Sequence, residues 1–285
     1  GGSQSNVSVH WSDELGGSLV RQFELQPGQE AIHHATFDGA ADALAEDGGG
    51  LALLPLSEIG AGVPLVVTGA CGRGTLGVGD AIRTGDYPLS EVVVLQYPTA
   101  RQTPLARNLL KWLDGERAGI AIQRAGFVDL AVGPVIAAFD GRQEADPIAL
   151  SFDGGTATEA LRATLDDALR INVAMRFQDG SSLPDRTARL QISRLVSAIK
   201  SGEFDGQRIY FVGFSDADGA ASTNLRLSER RAEAIRNEVE AAVTGLGGVT
   251  GFEAVGLGEA MPVACNGIDW GERLNRRVEV WAAPG

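Results

Sequence analysis

The sequence predicts an α/β domain followed by an α+β domain, and three observations carry that expectation. The chain of 285 residues is long enough for two cores of ordinary size. Its first half alternates short apolar runs with a long stretch of helical period, the pattern of an α/β layer. Its second half reads in the order β-α-β-α-β-β. An aperiodic connector rich in Asp, Gly, Pro and Gln over 140–155 separates them, so the expected division is a first domain over 1–150, a linker helix over 151–170 and a second domain over 171–285.

In the first half, Leu51 to Leu56 follows a triple glycine and reads as a buried strand. Val63 to Thr68 and the valine-rich Glu91 to Tyr97 read as two more. From Thr103 to Ala125 the period changes. Leu105, Leu109, Trp112, Leu113 and Ile120 fall near helical spacing, and Gly126 stands where a helix-terminating glycine belongs, which predicts one long amphipathic helix. After a helix from about Thr158 to Leu169, the alternation of Ile171, Val173, Met175 and Phe177 predicts a strand with one face buried. Pro184 suits a first helical turn, and Leu190, Leu195, Val196 and Ile199 give the following helix an apolar stripe that ends by Gly202. Ile209 to Phe214 is the next strand. A helix from about Asn224 to Val243 and strands near Gly251 to Val255 and Asn275 to Trp281 complete the series.

Composition removes several function classes. A formal charge of -13 is wrong for a nucleic-acid partner, which demands clustered Lys and Arg. At 44% hydrophobic and 21% charged residues the chain reads as globular, and no apolar run approaches the roughly 20 residues of a bilayer helix. No signal peptide is expected at its start, where a charged region and an apolar core are both lacking. His10, His33 and His34 have no Cys or carboxylate cluster at ligand spacing, so no metal or other cofactor is expected. The adjacent pair His33 and His34 would point to opposite sides of a strand, leaving at least one in solvent. Nor does a nucleophile motif, a phosphate loop or a dinucleotide fingerprint accompany them, and no enzymatic activity is expected. Cys71 and Cys265 match no metal or redox spacing; two separate thiols and a bridge both stay open.

One constellation carries chemistry. Leu227, Arg231, Ile235 and Val239 share a helix face, so Arg231 interrupts an apolar stripe, where a guanidinium is costly without a partner. Asp216 lies just past the strand ending at Phe214, in the loop feeding that helix, where Gly219 permits a tight turn and Asn224 is a candidate cap. Two readings stand. Asp216 and Arg231 form an internal ion pair, or both face a crevice and hold a small zwitterion, carboxylate to ammonium and guanidinium to carboxylate.

The run Gly213-Phe214-Ser215-Asp216-Ala217-Asp218-Gly219, then Asn224, then Leu227-Ser228-Glu229-Arg230-Arg231-Ala232, resembles the signature of the OmpA-like peptidoglycan-binding domain. Gly256-Leu257-Gly258-Glu259 with Pro262, Asn275-Arg276-Arg277-Val278-Glu279, and Phe177 with Leu183 resemble its other motifs, in the right order over about 171–282. The resemblance implies non-covalent binding of the diaminopimelate residue of the peptidoglycan peptide stem, with Asp216 on the ammonium and Arg231 on the carboxylate. Asn224, Ser215 and Arg276 fall at positions lining the same pocket. Where the family usually carries Thr, Ser215 keeps the hydroxyl and loses the methyl. The implied location is the periplasm of a Gram-negative bacterium, with the chain anchored to the cell wall near the outer membrane. Arg277 reads as part of an edge-strand charge cluster, and Arg230 as a solvent-facing helix charge.

Residues 5–130 resemble, in patches, the later part of a PstS-like phosphate-binding protein. Tyr87-Pro88-Leu89-Ser90 and Ala125-Gly126-Phe127-Val128 look like its motifs, and Asp13-Glu14-Leu15-Gly16-Gly17-Ser18 falls at its phosphate-gripping turn. Ser12 stands for that turn's arginine and Gly16 for its serine, which leaves Gly17 and Ser18 as a reduced anion site. The family's earlier segment, which builds its first lobe, is missing, so an incomplete solute-binding-type domain is expected. With its anion site so reduced, the domain reads as a scaffold or sensing module that keeps the architecture without the ligand; phosphate is the candidate ligand of the other reading, in which a wall-tethered phosphate-uptake component is the alternative function.

Overall fold

The computed structural model describes residues 7–15, 28–60, 62–68, 71, 74–77, 79–93, 95, 97, 100, 102–113, 115–135, 165, 167–246 and 248–285. They fall into two compact units, one of residues 1–65 and 89–129, the other of 66–88 and 130–285. The expected connector at 140–155 and most of the helix at 158–169 lie outside the described residues. Packing divides the chain differently from the composition shift, because Val66–Pro88 belongs to the second unit.

The first unit holds a small parallel sheet of β1 (Val9–Ser12), β2 (Ile32–His34) and β3 (Leu51–Ala52), with β1 central. Helix α1 (Phe37–Glu46) packs on it, capped by the Thr36 hydroxyl, which accepts from the Gly39 amide at 3.1 Å. His33 is exposed, its ring 3.0 Å from Asp13, and His34 is half-buried beside His10. The run Leu51 to Leu56 is a strand for two residues only, since Pro55 leads into a turn of 3-10 helix over Leu56–Glu58, and Leu51 is exposed. Among the described residues of 91–97 no strand forms, and Val92, Val93, Leu95 and Tyr97 are exposed.

The single helix expected over Thr103 to Ala125 is two, α2 and α3 of this unit, at Pro104–Leu113 and Glu116–Arg124. Gly115 separates them in an extended conformation, its amide turned back to the Trp112 carbonyl at 3.0 Å. Gly126 does end the second helix, at φ +78°, and its missing Cβ admits Ser57, whose Cα would lie 2.4 Å away.

In the second unit the expected strand at Val63 to Thr68 is shortened to β4 (Val66–Thr68), which pairs antiparallel with β5 (Gly74–Leu76) ahead of a short helix over Gly79–Arg83. The main sheet follows: β6 (Leu169–Arg176), β7 (Gln207–Gly213), β8 (Gly251–Gly256) and β9 (Arg277–Pro284), in the order β6-β9-β7-β8. Helices α4 (Arg186–Lys200) and α5 (Ala221–Val243) cover one face. Asp185 starts α4 by accepting from the Ala188 amide at 2.7 Å. Between β8 and β9 lies α6 (Asp269–Asn275), a short helix that the sequence pattern did not announce.

Under α4 and α5, Ile171, Val173, Met175, Ile209, Phe211, Val278 and Val280 join Leu195, Ile199, Ile235 and Val239 in one core. Each such side chain adds about 1.5–3 kcal/mol when fully buried. A smaller cluster of Val212, Phe214, Met261, Trp281 and Leu165 lies apart from it. Arg277 corrects its expected place. Strand β9 is internal, hydrogen-bonded on both sides, and Arg277 is buried with its Nε 2.7 Å from Glu279 and its guanidinium 4.0 Å over the Phe214 ring. Cys71 and Cys265 form a disulfide, with Cα atoms 5.6 Å apart.

Candidate functional site

The site grows from the end of β7. Its last residue, Gly213, runs so close under α5 that a Cβ there would lie 2.0 Å from the Ser228 carbonyl. Ser228 also fastens the next loop, because its hydroxyl accepts from the Gly258 amide at 2.8 Å while the Gly258 carbonyl accepts from the Ser215 amide at 2.7 Å. The chain therefore leaves β7 with Ser215 and Asp216 held between the start of α5 and the loop after β8.

Asn224 acts on that loop rather than as a helix cap. The helix begins earlier, at Ala221, and the buried Asn224 Nδ2 faces the carbonyl oxygens of Asp216 at 3.4 Å and Asp218 at 2.9 Å and the Glu259 carboxylate at 2.8 Å. The loop is thus tied at both ends, which limits the freedom of the Asp216 side chain.

Asp216 and Arg231 do not bond to each other, so the internal ion pair is not what the structure contains. Arg276 takes that place, its Nη1 donating to Asp216 Oδ2 at 2.6 Å. Arg231 instead donates from Nε to the Ser181 carbonyl at 2.9 Å and from Nη2 to the Gln178 carbonyl at 3.3 Å, and its guanidinium lies 5.2 Å over the Phe177 ring. Arg231 is wholly buried, while the Asp216 and Arg276 side chains keep 8% and 11% of their surface. Burial pulls the Arg231 pKa down to about 10, although Asp216 attracts its charge and opposes that fall; Arg276 adds to it. The acid and the base therefore feel each other without closing a bond.

Among the described residues, three buried polar atoms of this set have no hydrogen-bond partner: Arg231 Nη1, Arg276 Nε and Ser215 Oγ. A guanidinium N–H buried without an acceptor is unfavourable and is satisfied by an incoming carboxylate. Asp216 keeps Oδ1 outside its bond to Arg276, so an ammonium has an oxygen to approach. Chemically, the set presents one carboxylate, two guanidinium groups and a hydroxyl to a small charged ligand.

Asp216, Ser215 and Arg276 thus come from the ends of β7 and α6, and Asn224 and Arg231 from the first three turns of α5. Arg230 is exposed, as its helix position predicts. Gly17 and Ser18 lie outside the described residues. Sequence reasoning passed over Glu259, which holds Asn224, although it stands inside a quoted motif, and the carbonyls of Gln178 and Ser181, whose only signal is a Gly and Ser turn after Phe177. It also passed over Asn275. The Asn275 Oδ1 accepts from the Val263 and Ala264 amides at 2.9 and 3.1 Å, and its Nδ2 donates to Ala264 O and Asn266 Oδ1, both at 2.9 Å.

Residues 176–276 match the profile of the OmpA family, and this part of the chain is an OmpA-like α+β domain. Outer membrane porin F of Pseudomonas aeruginosa is 31% identical over 115 residues, 40% of this chain and 31% of that protein. The probable lipoprotein YiaD of Escherichia coli is 32% identical over 82 residues, 29% of this chain and 36% of that protein. The chain therefore spans about a third of the length of these curated relatives. Among solved structures, the peptidoglycan-associated lipoprotein of Burkholderia pseudomallei aligns with 26% identity and a TM-score of 0.34, covering 39% of this chain and 89% of that one. The cell wall anchor of the T6SS from Pseudomonas aeruginosa aligns with 20% identity and a TM-score of 0.32, covering 45% and 93%. Among the described residues no helix is long and apolar enough to cross a membrane.

Proposed function

We propose that the second unit binds the peptide stem of peptidoglycan non-covalently, through its diaminopimelate residue, and so anchors the first unit to the cell wall in the periplasm of a Gram-negative bacterium. The carrying observation is the buried Arg231 Nη1, without an acceptor among the described residues, close enough to Asp216 to feel its charge yet not bonded to it. A free amino acid head group answers both needs, with its carboxylate on Arg231 and its ammonium on Asp216 Oδ1. Arg276 already neutralises Asp216, so the ammonium shares that carboxylate. The match of 176–276 to the OmpA family supports the same reading. Asn224 and Ser215 are proposed as pocket residues, the first by tying the loop and the second by a hydroxyl free to turn toward the ligand. The site is a binding module, and none of its groups is asked to do catalysis.

Isothermal titration of the whole chain with meso-diaminopimelate or a muropeptide tests this. Heat is expected from the unaltered chain. Asp216→Ala or Arg231→Ala each removes one partner of a buried charged contact, a loss of about 2–5 kcal/mol, which is about thirtyfold or more in Kd. A chain that gives no heat with either ligand, or variants that bind as well as the parent, would overturn the reading. Retention on isolated sacculi should follow the same order among the variants, and moderate salt should weaken it only slightly, because the contact is charged but buried and salt screens buried pairs little.

A further inference from the structure

Two residues of the upstream segment Val66–Pro88, Cys71 and Asp86, connect it to the surroundings of the site. The first does so by the disulfide from Cys71 to Cys265. Cys265 stands in the turn over residues 263–266 that the Asn275 side chain holds, and in that turn Asn266 Oδ1 accepts from the Ala217 amide at 3.3 Å, next to Asp216 in sequence. Helix α6 packs so tightly beneath the turn that a Cβ on Gly271 would lie 2.0 Å from the Cys265 carbonyl. The turn and the helix cannot shift independently.

The second, Asp86, is buried between Arg170 and Arg176 and ion-paired with both, at 2.7 Å to Arg170 Nη2. Arg176 in turn donates from Nη1 to the Leu274 carbonyl at 3.0 Å, in the last turn of α6. Two residues on stands Arg276, the guanidinium that occupies Asp216. One strap thus grips both sides of α6, by a covalent bond at the turn before it and through a carboxylate-guanidinium relay at its end.

We propose that Val66–Pro88 is a positioning strap for the ligand site: the Cys71–Cys265 disulfide and Asp86 hold the 263–266 turn and the Arg276 end of α6 in register with Asp216, so the redox state of the disulfide sets ligand affinity. The inference rests on the proposed ligand-binding reading and adds its regulation. Cys71 is exposed while Cys265 is buried, so a dithiol approaches the bond from the Cys71 side. In that exchange the S–S bond breaks, Cys71 and Cys265 gain two electrons and two protons as thiols, and the dithiol becomes a disulfide. Asp86 and Arg176 touch no ligand; they are positioning residues that act through Leu274 and Arg276.

The test uses the whole chain, oxidised and then reduced with dithiothreitol, and reads two quantities. Hydrogen exchange at the amides of Ala217, Val263 and Ala264 is expected to rise on reduction while the Phe211 amide, in the middle of β7, keeps its protection. The Kd for meso-diaminopimelate is expected to weaken by about five- to tenfold, in the usual range for coupling between two sites. Cys71→Ser should reproduce both changes without reductant. Asp86→Asn should weaken binding in the same direction, and Asp86→Glu, which keeps the charge, should restore part of it. Unchanged exchange and affinity after reduction would overturn the strap. So would a uniform rise that includes Phe211, since that marks general loosening. If neither redox state binds diaminopimelate, the proposed function falls, and the exchange pattern alone still decides whether the segment positions the loops.

Discussion

On one face of the four-stranded sheet, Ile171, Val173, Met175, Ile209, Phe211, Val278 and Val280 pack beneath two helices. Away from that core, Arg170, Arg176, Arg277 and Glu279 of the same strands surround Asp86, and Arg176, Arg277, Glu279 and Asp86 are buried to a similar depth. The apolar face gains free energy from area removed from water, which is non-directional and tolerates small shifts. The charged group gains only what its geometry allows, because each ion left its water shell and must recover that loss from a few correctly placed partners. The helices can be supplied by neighbouring sequence. Asp86 has to come from a distant segment, and this ties the Val66–Pro88 strap to the domain.

The largest expected effect lies on the apolar face. Phe211→Ala removes a wholly buried ring from the middle of β7 and should cost about 4 kcal/mol in urea unfolding of the chain, by lost transfer and by the cavity left behind. Glu279→Ala should cost slightly less, about 3 kcal/mol, by a different route: it strands Arg277 and leaves the Trp281 indole N–H, now 3.1 Å from Glu279 Oε2, without its acceptor. Arg277→Met made together with Glu279→Leu should cost less than Glu279→Ala alone. If the pair of changes costs more than the single one, the charges contribute beyond mutual compensation and the comparison between the regions fails.

Acid provides a gentler perturbation that touches the charges alone. Burial by itself would raise the pKa of Asp86, but the guanidinium groups of Arg170, Arg176 and Arg277 outweigh it and hold the carboxyl well below its ordinary range. Glu279 is likewise held down, with Arg170 and Arg277 overcoming burial and the repulsion from Asp86. A carboxyl whose folded pKa is depressed contributes stability that is complete above its unfolded value and is lost as pH falls toward the folded one. The melting midpoint of the second unit should therefore lose this contribution only below about pH 4, the ordinary carboxylate value. Asp86→Asn should lower the midpoint at neutral pH and flatten its fall in acid. An equal acid slope in the variant would show that Asp86 is not one of the groups responsible.

The two regions were unequally legible in the sequence. Periodicity exposed the apolar one directly: Ile171, Val173, Met175 and Phe177 predicted their strand, and Ile235 and Val239 predicted the buried side of their helix, whereas Leu227 of the same stripe is only half-buried. Arg277 was misplaced because alternation gives a strand's faces but not its neighbours, and only the order β6-β9-β7-β8 makes β9 internal. The site was readable as a set of residues, since its motifs are local and ordered. Its bonding was not, because Arg276 reaches Asp216 from the far end of the domain and displaces the expected partner Arg231. The break between α2 and α3 had a signal, Asp114 followed by Gly115, but the apolar spacing runs through it. Nothing in a short run such as Thr84 to Asp86 announces that its carboxylate sits among arginines some 84 to 90 residues away.

Ser215 gives the smallest effect on stability and separates stability from function most cleanly. Its hydroxyl is buried and makes no hydrogen bond among the described residues, so removing it takes away a polar atom that they leave unsatisfied. Ser215→Ala should accordingly change unfolding free energy by no more than about 0.5 kcal/mol, with any shift toward greater stability. Diaminopimelate binding should respond in the opposite sense. If the hydroxyl finds its partner only on a bound ligand, the variant loses one neutral hydrogen bond, about 0.5–1.5 kcal/mol, or about two- to tenfold in Kd by titration. A variant that is destabilised and binds normally would place the hydroxyl in the fold and not in the pocket, and would leave Arg231 and Asp216 to hold the ligand without it.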